Sequence, residues 1–183
     1  MKVTRLAIED VLLIETQRFH DDRGSLREAW RESRYAEAGI PGPFVQDNVS
    51  FSKRGVLRGL HLQHPTGQGK LVSVLAGEIF DVAVDVRRGS PTFGQWVAEV
   101  LSEENARQLY IPTGFAHGFA VTSDDALLLY KCTAYHVPAD EVTVFWDDPE
   151  IGIEWPISSP IVSLKDANGR MLRDIDSGLL PAS

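Results

Sequence analysis

A chain of 183 residues, 43% hydrophobic and 24% charged, is long enough to bury one sizeable core and has the composition of a globular protein. Its 26 acidic and 18 basic side chains give a formal net charge of −8 with no Lys/Arg cluster, which argues against a nucleic-acid partner. The single cysteine, Cys132, cannot form an internal disulfide, and apolar runs such as residues 126–130 are too short to span a bilayer; a cytoplasmic protein without signal peptide or membrane span is expected.

In chain order, the first element is a short apolar run at 11–14, able to pair with its own sheet or with that of a second subunit. Ser33 is placed to cap a helix running through Ala38 and ended by Gly39. Residues 70–87 have the pattern of a hairpin broken at Ala76-Gly77-Glu78. Val72 and Val74 share one face, and Phe80, Val82, Val84 and Val86 alternate with Asp81, Ala83 and Asp85. Short strands follow at 96–101, 108–111, 118–121, 127–132 and 142–145, separated by turn signals such as Pro112-Thr113-Gly114 and Ser123-Asp124-Asp125. Ser102 with Glu103 and Glu104 predicts one helical turn, and the segment from Ser163 to Asp166 reads as a loop with a solvated charge pair. Many short strands with little helix predict an all-β antiparallel sandwich or barrel carrying one or two short helices.

The densest polar group among the strands comprises Gln46, Asp47, Asn48, Arg54, Arg58, His61 and Lys70. Strict alternation turns Arg58 and Leu60 to one face and Gly59 and His61 to the other unless a bulge intervenes. Alternation alone therefore leaves Arg54 and Arg58 as surface charges and His61 as a core histidine. His61, His64 and His117 are the available metal ligands, but a spacing of three points the first two to opposite strand faces. Lys70 stands where a carboxylate would complete a triad, so no metal site is expected. Taken singly, Tyr130 reads as a core tyrosine and Cys132 as an inert buried thiol.

Several ordered blocks change that reading: the run from Arg54 to His61, Gln68-Gly69-Lys70, the run from Gly77 to Asp85, and Ser90-Pro91-Thr92-Phe93-Gly94. The run from Ile111 to Phe119, Trp146-Asp147-Asp148-Pro149 and Lys165-Asp166 complete the set. Together they resemble the dTDP-4-dehydrorhamnose 3,5-epimerase family from about Phe19 to Asp166. The resemblance implies a cupin-type jelly roll in one domain, 1–183. Its core would run from about 45 to 150, with N-terminal strands and a C-terminal segment packed on it. It also implies a homodimer that needs neither metal nor nicotinamide, and a dTDP-linked 4-keto-deoxysugar as substrate. Two centres, carbons 3 and 5 of dTDP-4-dehydro-6-deoxy-D-glucose, would be inverted to give dTDP-4-dehydro-L-rhamnose; relatives in antibiotic sugar pathways invert only one.

By the same resemblance His61 is the base, Asp166 its orienting carboxylate, Tyr130 the acid on the opposite face of the sugar, and Lys70 the cation facing the enolate oxygen. Arg58 serves the diphosphate, with Arg23, Glu28, Gln46 and Asn48 at the nucleotide end and His117 and Lys165 also in the substrate site. The chain departs from the family at Ser25 and Leu26, where aromatic residues usually follow the Asp-Arg-Gly turn, and at His136, where a second aromatic often follows Tyr135.

Overall fold

A computed structural model describes residues 1–40 and 42–183. The chain opens with β1 (Lys2–Arg5), β2 (Leu12–Glu15), the hairpin of β3 (Arg18–Asp21) and β4 (Gly24–Arg27), and helix α1 (Glu32–Glu37). Seven strands follow: β5 (Gln46–Lys53), β6 (Leu57–Gln63), β7 (Lys70–Asp85), β8 (Trp96–Ser102), β9 (Arg107–Ile111), β10 (Phe115–Cys132) and β11 (Glu141–Thr143). The one-turn helix α2 (Leu164–Ala167) lies in the C-terminal segment. The architecture is the antiparallel β-sandwich with short helices that the sequence predicts.

Two long strands organise it. The first half of β7 pairs with β9 and with the second half of β10, whose other edge holds β5, while β2 joins β9 to β1. The second half of β7 pairs with β8 and with the first half of β10, whose other edge holds β6 and then β11. Each long strand thus serves both layers, and Val72, Val74, Leu109 and Leu128 of one layer pack against Ile79, Ala83, Phe115 and Phe119 of the other. Residues 70–85 are therefore one continuous strand and not a hairpin, with 86 and 87 beyond its end, and 118–121 and 127–132 belong to one strand as well. At the break, Gly77 has φ +77° and the β7–β10 register shifts between Val121 and Ala126. Glycine is required there, because a Cβ would lie 2.0 Å from the Asp125 carbonyl oxygen.

The outer faces are covered too. Phe80, Val82 and Val84 turn away from the sandwich interior and pack with Leu60, Leu62, Ile151, Leu172, Ile175 and Leu180. The opposite layer is capped by Tyr35 and Ile40 together with Leu12, Ile14, Leu71 and Tyr110. The run at 11–14 pairs within its own sheet as β2, between β1 and β9.

Three local expectations are corrected. Arg31, not Ser33, occupies the N-cap of α1, although Gly39 at φ +82° does follow its last turn. The burial of Tyr35, whose hydroxyl donates to Gln108 Oε1 at 2.5 Å, sets that helix. Ser102 ends β8 in a turn, its Oγ accepting the Asn105 N–H at 3.0 Å, and opens no helix. The segment from Ser163 to Asp166 is a capped helical turn, with Asp166 only 2% exposed, rather than a solvated loop.

Candidate active site

The register of β6 against β10 decides which side chains of β6 face the interior. Arg58 pairs with Phe119 and His61 with His117, so two residues on β6, Gly59 and Leu60, oppose one on β10, Gly118. Gly59 absorbs the extra residue at φ +117°, and a Cβ there would sit 2.6 Å from both Gly118 Cα and the His117 carbonyl oxygen. Beyond this bulge Leu60 and Leu62 turn outward into the C-terminal packing, while Arg58, His61 and Gln63 all line one cleft of about 430 Å³. The face assignment that strict alternation gives to Arg58 and His61 is thereby overturned.

Asp166 reaches this cleft because its segment is fastened to the sheet on both sides. Leu57 N–H donates to the Ile161 carbonyl at 3.0 Å, and Arg170 N–H donates to the Thr143 carbonyl at 3.1 Å. Between them Ser163 Oγ caps α2 by accepting the Asp166 N–H at 3.1 Å. Asp166 Oδ1 then lies 2.7 Å from His61 Nε2, and Oδ2 accepts the Gly59 N–H at 3.5 Å. Burial works to raise this carboxyl, but the His61 contact and the Ser163 and Gly59 bonds hold it below the usual aspartate value. With Nε2 bonded to Asp166, Nδ1 is the imidazole nitrogen left for the cleft.

Lys70, Tyr130 and Asn48 enter from the other layer, where β7, β10 and β5 lie side by side and Tyr130 is opposite both Asn48 and Val72. Lys70 is 8% exposed and makes no ion pair among the described residues; burial lowers its pKa from the ordinary lysine value. Burial raises the Tyr130 phenol and the Cys132 thiol. His117 Nε2 lies 2.7 Å from Oδ1 of the fully buried Asp81, whose Oδ2 has no partner among the described residues. Arg58 Nε donates to Ser52 Oγ at 3.0 Å. At the rim Glu141 accepts from Lys165 and lies 2.9 Å from His136 Nε2. Burial opposes ionisation of Glu141, but those two bonds hold its pKa below the usual range.

Nine of the eleven residues singled out in the sequence therefore line one cleft: His61, Lys70, Tyr130, Asp166, Gln46, Asn48, Arg58, His117 and Lys165. Arg23 and Glu28 lie outside it, Arg23 exposed and paired with Asp21, and Glu28 paired with Arg34. Sequence reasoning missed Gln63, Gln68 and Glu141 as lining residues, although Gln63 shares strand parity with His61.

A family model described as dTDP-4-dehydrorhamnose 3,5-epimerase matches residues 5–174. The chain belongs to the dTDP-4-dehydrorhamnose 3,5-epimerase family. As a member of this isomerase family it is 56% identical over 178 residues to a dTDP-4-dehydrorhamnose 3,5-epimerase of Pseudomonas aeruginosa, covering 96% of this chain and 98% of the relative. A solved dTDP-6-deoxy-D-glucose-3,5-epimerase from Legionella pneumophila, in complex with dTDP-4-keto-L-rhamnose, matches with a TM-score of 0.97 at 50% identity. That match covers 100% of this chain and 98% of the other. A dTDP-4-dehydrorhamnose 3-epimerase of Streptomyces niveus is 40% identical, covering 99% of this chain and 89% of the relative.

Proposed function

We propose that this family member inverts carbons 3 and 5 of dTDP-4-dehydro-6-deoxy-D-glucose, giving dTDP-4-dehydro-L-rhamnose by successive enolisations at the 4-keto group. The observation that carries the proposal is the 2.7 Å pairing of His61 with the buried Asp166 in a cleft shared with Lys70 and Tyr130. A hydrogen on carbon beside a carbonyl is acidic only because the enolate delocalises the charge, so catalysis needs a base, a stabilised oxyanion and an acid on the other face.

His61 takes the proton on Nδ1, and the Asp166 carboxylate steadies the imidazolium that forms. Lys70 donates to the enolate oxygen; its burial strengthens the attraction by excluding water. Tyr130 returns a proton to the opposite face. The phenol is protonated at neutral pH, and burial, which raises its pKa, keeps it so to higher pH, so a proton is available to donate. The same groups act at the second centre after the ring shifts in the cleft. Arg58 and Lys165 supply the positive charge that a diphosphate requires.

The proposal includes a homodimer in which Arg23 and Glu28 of one copy reach the nucleotide end of the other. Phe19 and Leu26, 57% and 74% exposed on the same hairpin, provide apolar surface for that contact.

Incubating the chain with the 4-keto-6-deoxyglucose nucleotide in heavy water tests the activity. Deuterium enters at both carbons if the proposal holds; entry at carbon 3 alone selects the single-centre reaction, and no entry at either refutes epimerisation.

A further inference from the structure

The loop after β10 lies over the cleft rim and is gripped by three glutamine side chains. Gln68 Nε2 donates to the Ala134 carbonyl at 2.8 Å. Gln63 Nε2 donates to the Tyr135 carbonyl and to the Thr66 carbonyl, each at 3.2 Å, while its Oε1 accepts the Val137 N–H at 2.8 Å. His136 N–H donates to Gln46 Oε1 at 2.9 Å, and Gln46 Nε2 in turn donates to Asn48 Oδ1 at 3.0 Å. Gln63 lines the cleft at 6% exposure, yet both ends of its amide are spent on backbone. Four residues in succession are thus held, three of them through Gln63 and Gln46, and the held loop fixes which way the Gln46 amide points.

We infer that Gln63 is a positioning residue for nucleotide affinity: it locks the loop at 134–137, and through the His136 N–H it orients Gln46 and Asn48 without touching substrate or the proton-transfer groups. The inference rests on the proposed function, which assigns Gln46 and Asn48 to the nucleotide end. Preorganisation of this kind acts on binding, because a loop left loose must be ordered each time a ligand arrives.

The test is titration of dTDP by calorimetry into the wild type, Gln63→Met, Gln63→Glu and Gln68→Met, alongside kcat for deuterium exchange at saturating substrate. Gln63→Met, which keeps length but loses donor and acceptor, weakens dTDP about tenfold and leaves kcat within about threefold. Gln68→Met, which removes a single bond to the same loop, weakens dTDP about threefold. Gln63→Glu supplies a readout that loss of packing would not move. At 6% exposure and opposite Glu141 the new carboxyl is pushed up from the ordinary glutamate value. As a carboxylate it accepts from Val137 but repels the Tyr135 carbonyl, so binding is weak at pH 8; as its protonated fraction grows toward pH 5.5 it can donate again, and affinity recovers in part. The charged or titratable groups around it are Glu141 opposite on β11, Asp140, which accepts the Thr66 N–H, and His61, His64 and His136. The wild type carries all of these as well as the same ligand, so each affinity is taken relative to the wild type at the same pH.

Wild-type affinity in both methionine variants overturns the inference, as does a Gln63→Glu deficit that pH leaves unchanged. A wild-type chain that binds no dTDP overturns the proposed function together with the inference.

Discussion

Replacing Asp166 with asparagine keeps the size of the side chain and removes its charge. The carboxylate is 2% exposed and its Oδ1 is 2.7 Å from His61 Nε2, so the state with a neutral imidazole changes little when an amide oxygen takes that place. The protonated state changes a great deal. With charge centres about 4 Å apart and an effective dielectric of about 20, the carboxylate steadies the imidazolium by about 4 kcal/mol. That loss falls on the deprotonation step and lowers its rate about 10³-fold. If the amide NH₂ instead faces His61, the ring must carry its proton on Nδ1, the nitrogen that should act as base, and the rate falls further. The assay follows deuterium entry at carbons 3 and 5 by NMR at saturating substrate, with dTDP affinity as control. Affinity stays within about threefold, because Gln46 and Asn48 are untouched. Exchange by Asp166→Asn within tenfold of the wild type would refute the role assigned to the dyad.

Tyr130→Phe separates the two halves of the reaction. Deuterium still enters the substrate, while formation of inverted product falls by at least about 10²-fold, and inverted product at the wild-type rate contradicts the acid assignment. Burial lowers the Lys70 pKa below 10.5, so as pH rises the ammonium, and with it oxyanion stabilisation, is lost earlier than for a free lysine. Lys70→Arg reduces kcat about tenfold but retains its charge, so the alkaline limb of the kcat profile moves to higher pH; an unmoved limb means another group sets it. Gly59→Ala forces a Cβ to within 2.6 Å of the β10 backbone at φ +117°. It destabilises the fold by about 2–4 kcal/mol, and urea unfolding with an unchanged midpoint would show that the bulge is not built as described.

Much of the site was legible before any coordinates. The ordered blocks name His61, Lys70, Tyr130 and Asp166, and the alternation from Phe80 to Val86 marks a strand that runs as far as Asp85. Alternation shows which residues share a face, however, and says nothing of which face turns inward. Asp81 and Asp85 face away from the layer of Val82 and Val84 and are still fully buried, because the C-terminal segment covers the valine side while the sandwich encloses the aspartate side. The short run from Ser163 to Asp166 carried no usable periodicity. Its shape is imposed by hydrogen bonds to residues 57 and 143, which no local pattern encodes.

By itself, then, the sequence determined the strand-rich class, the absence of disulfides and the chemical types available for proton transfer, since these depend on composition, local alternation and the order of blocks. Only the tertiary structure decided that Gly77 marks a bend inside one strand and that Gly59 brings Arg58 and His61 to a common cleft. A positive φ suits a tight turn and a bulge alike. Which one forms is settled by the partner strand's register, a contact between residues far apart in the chain.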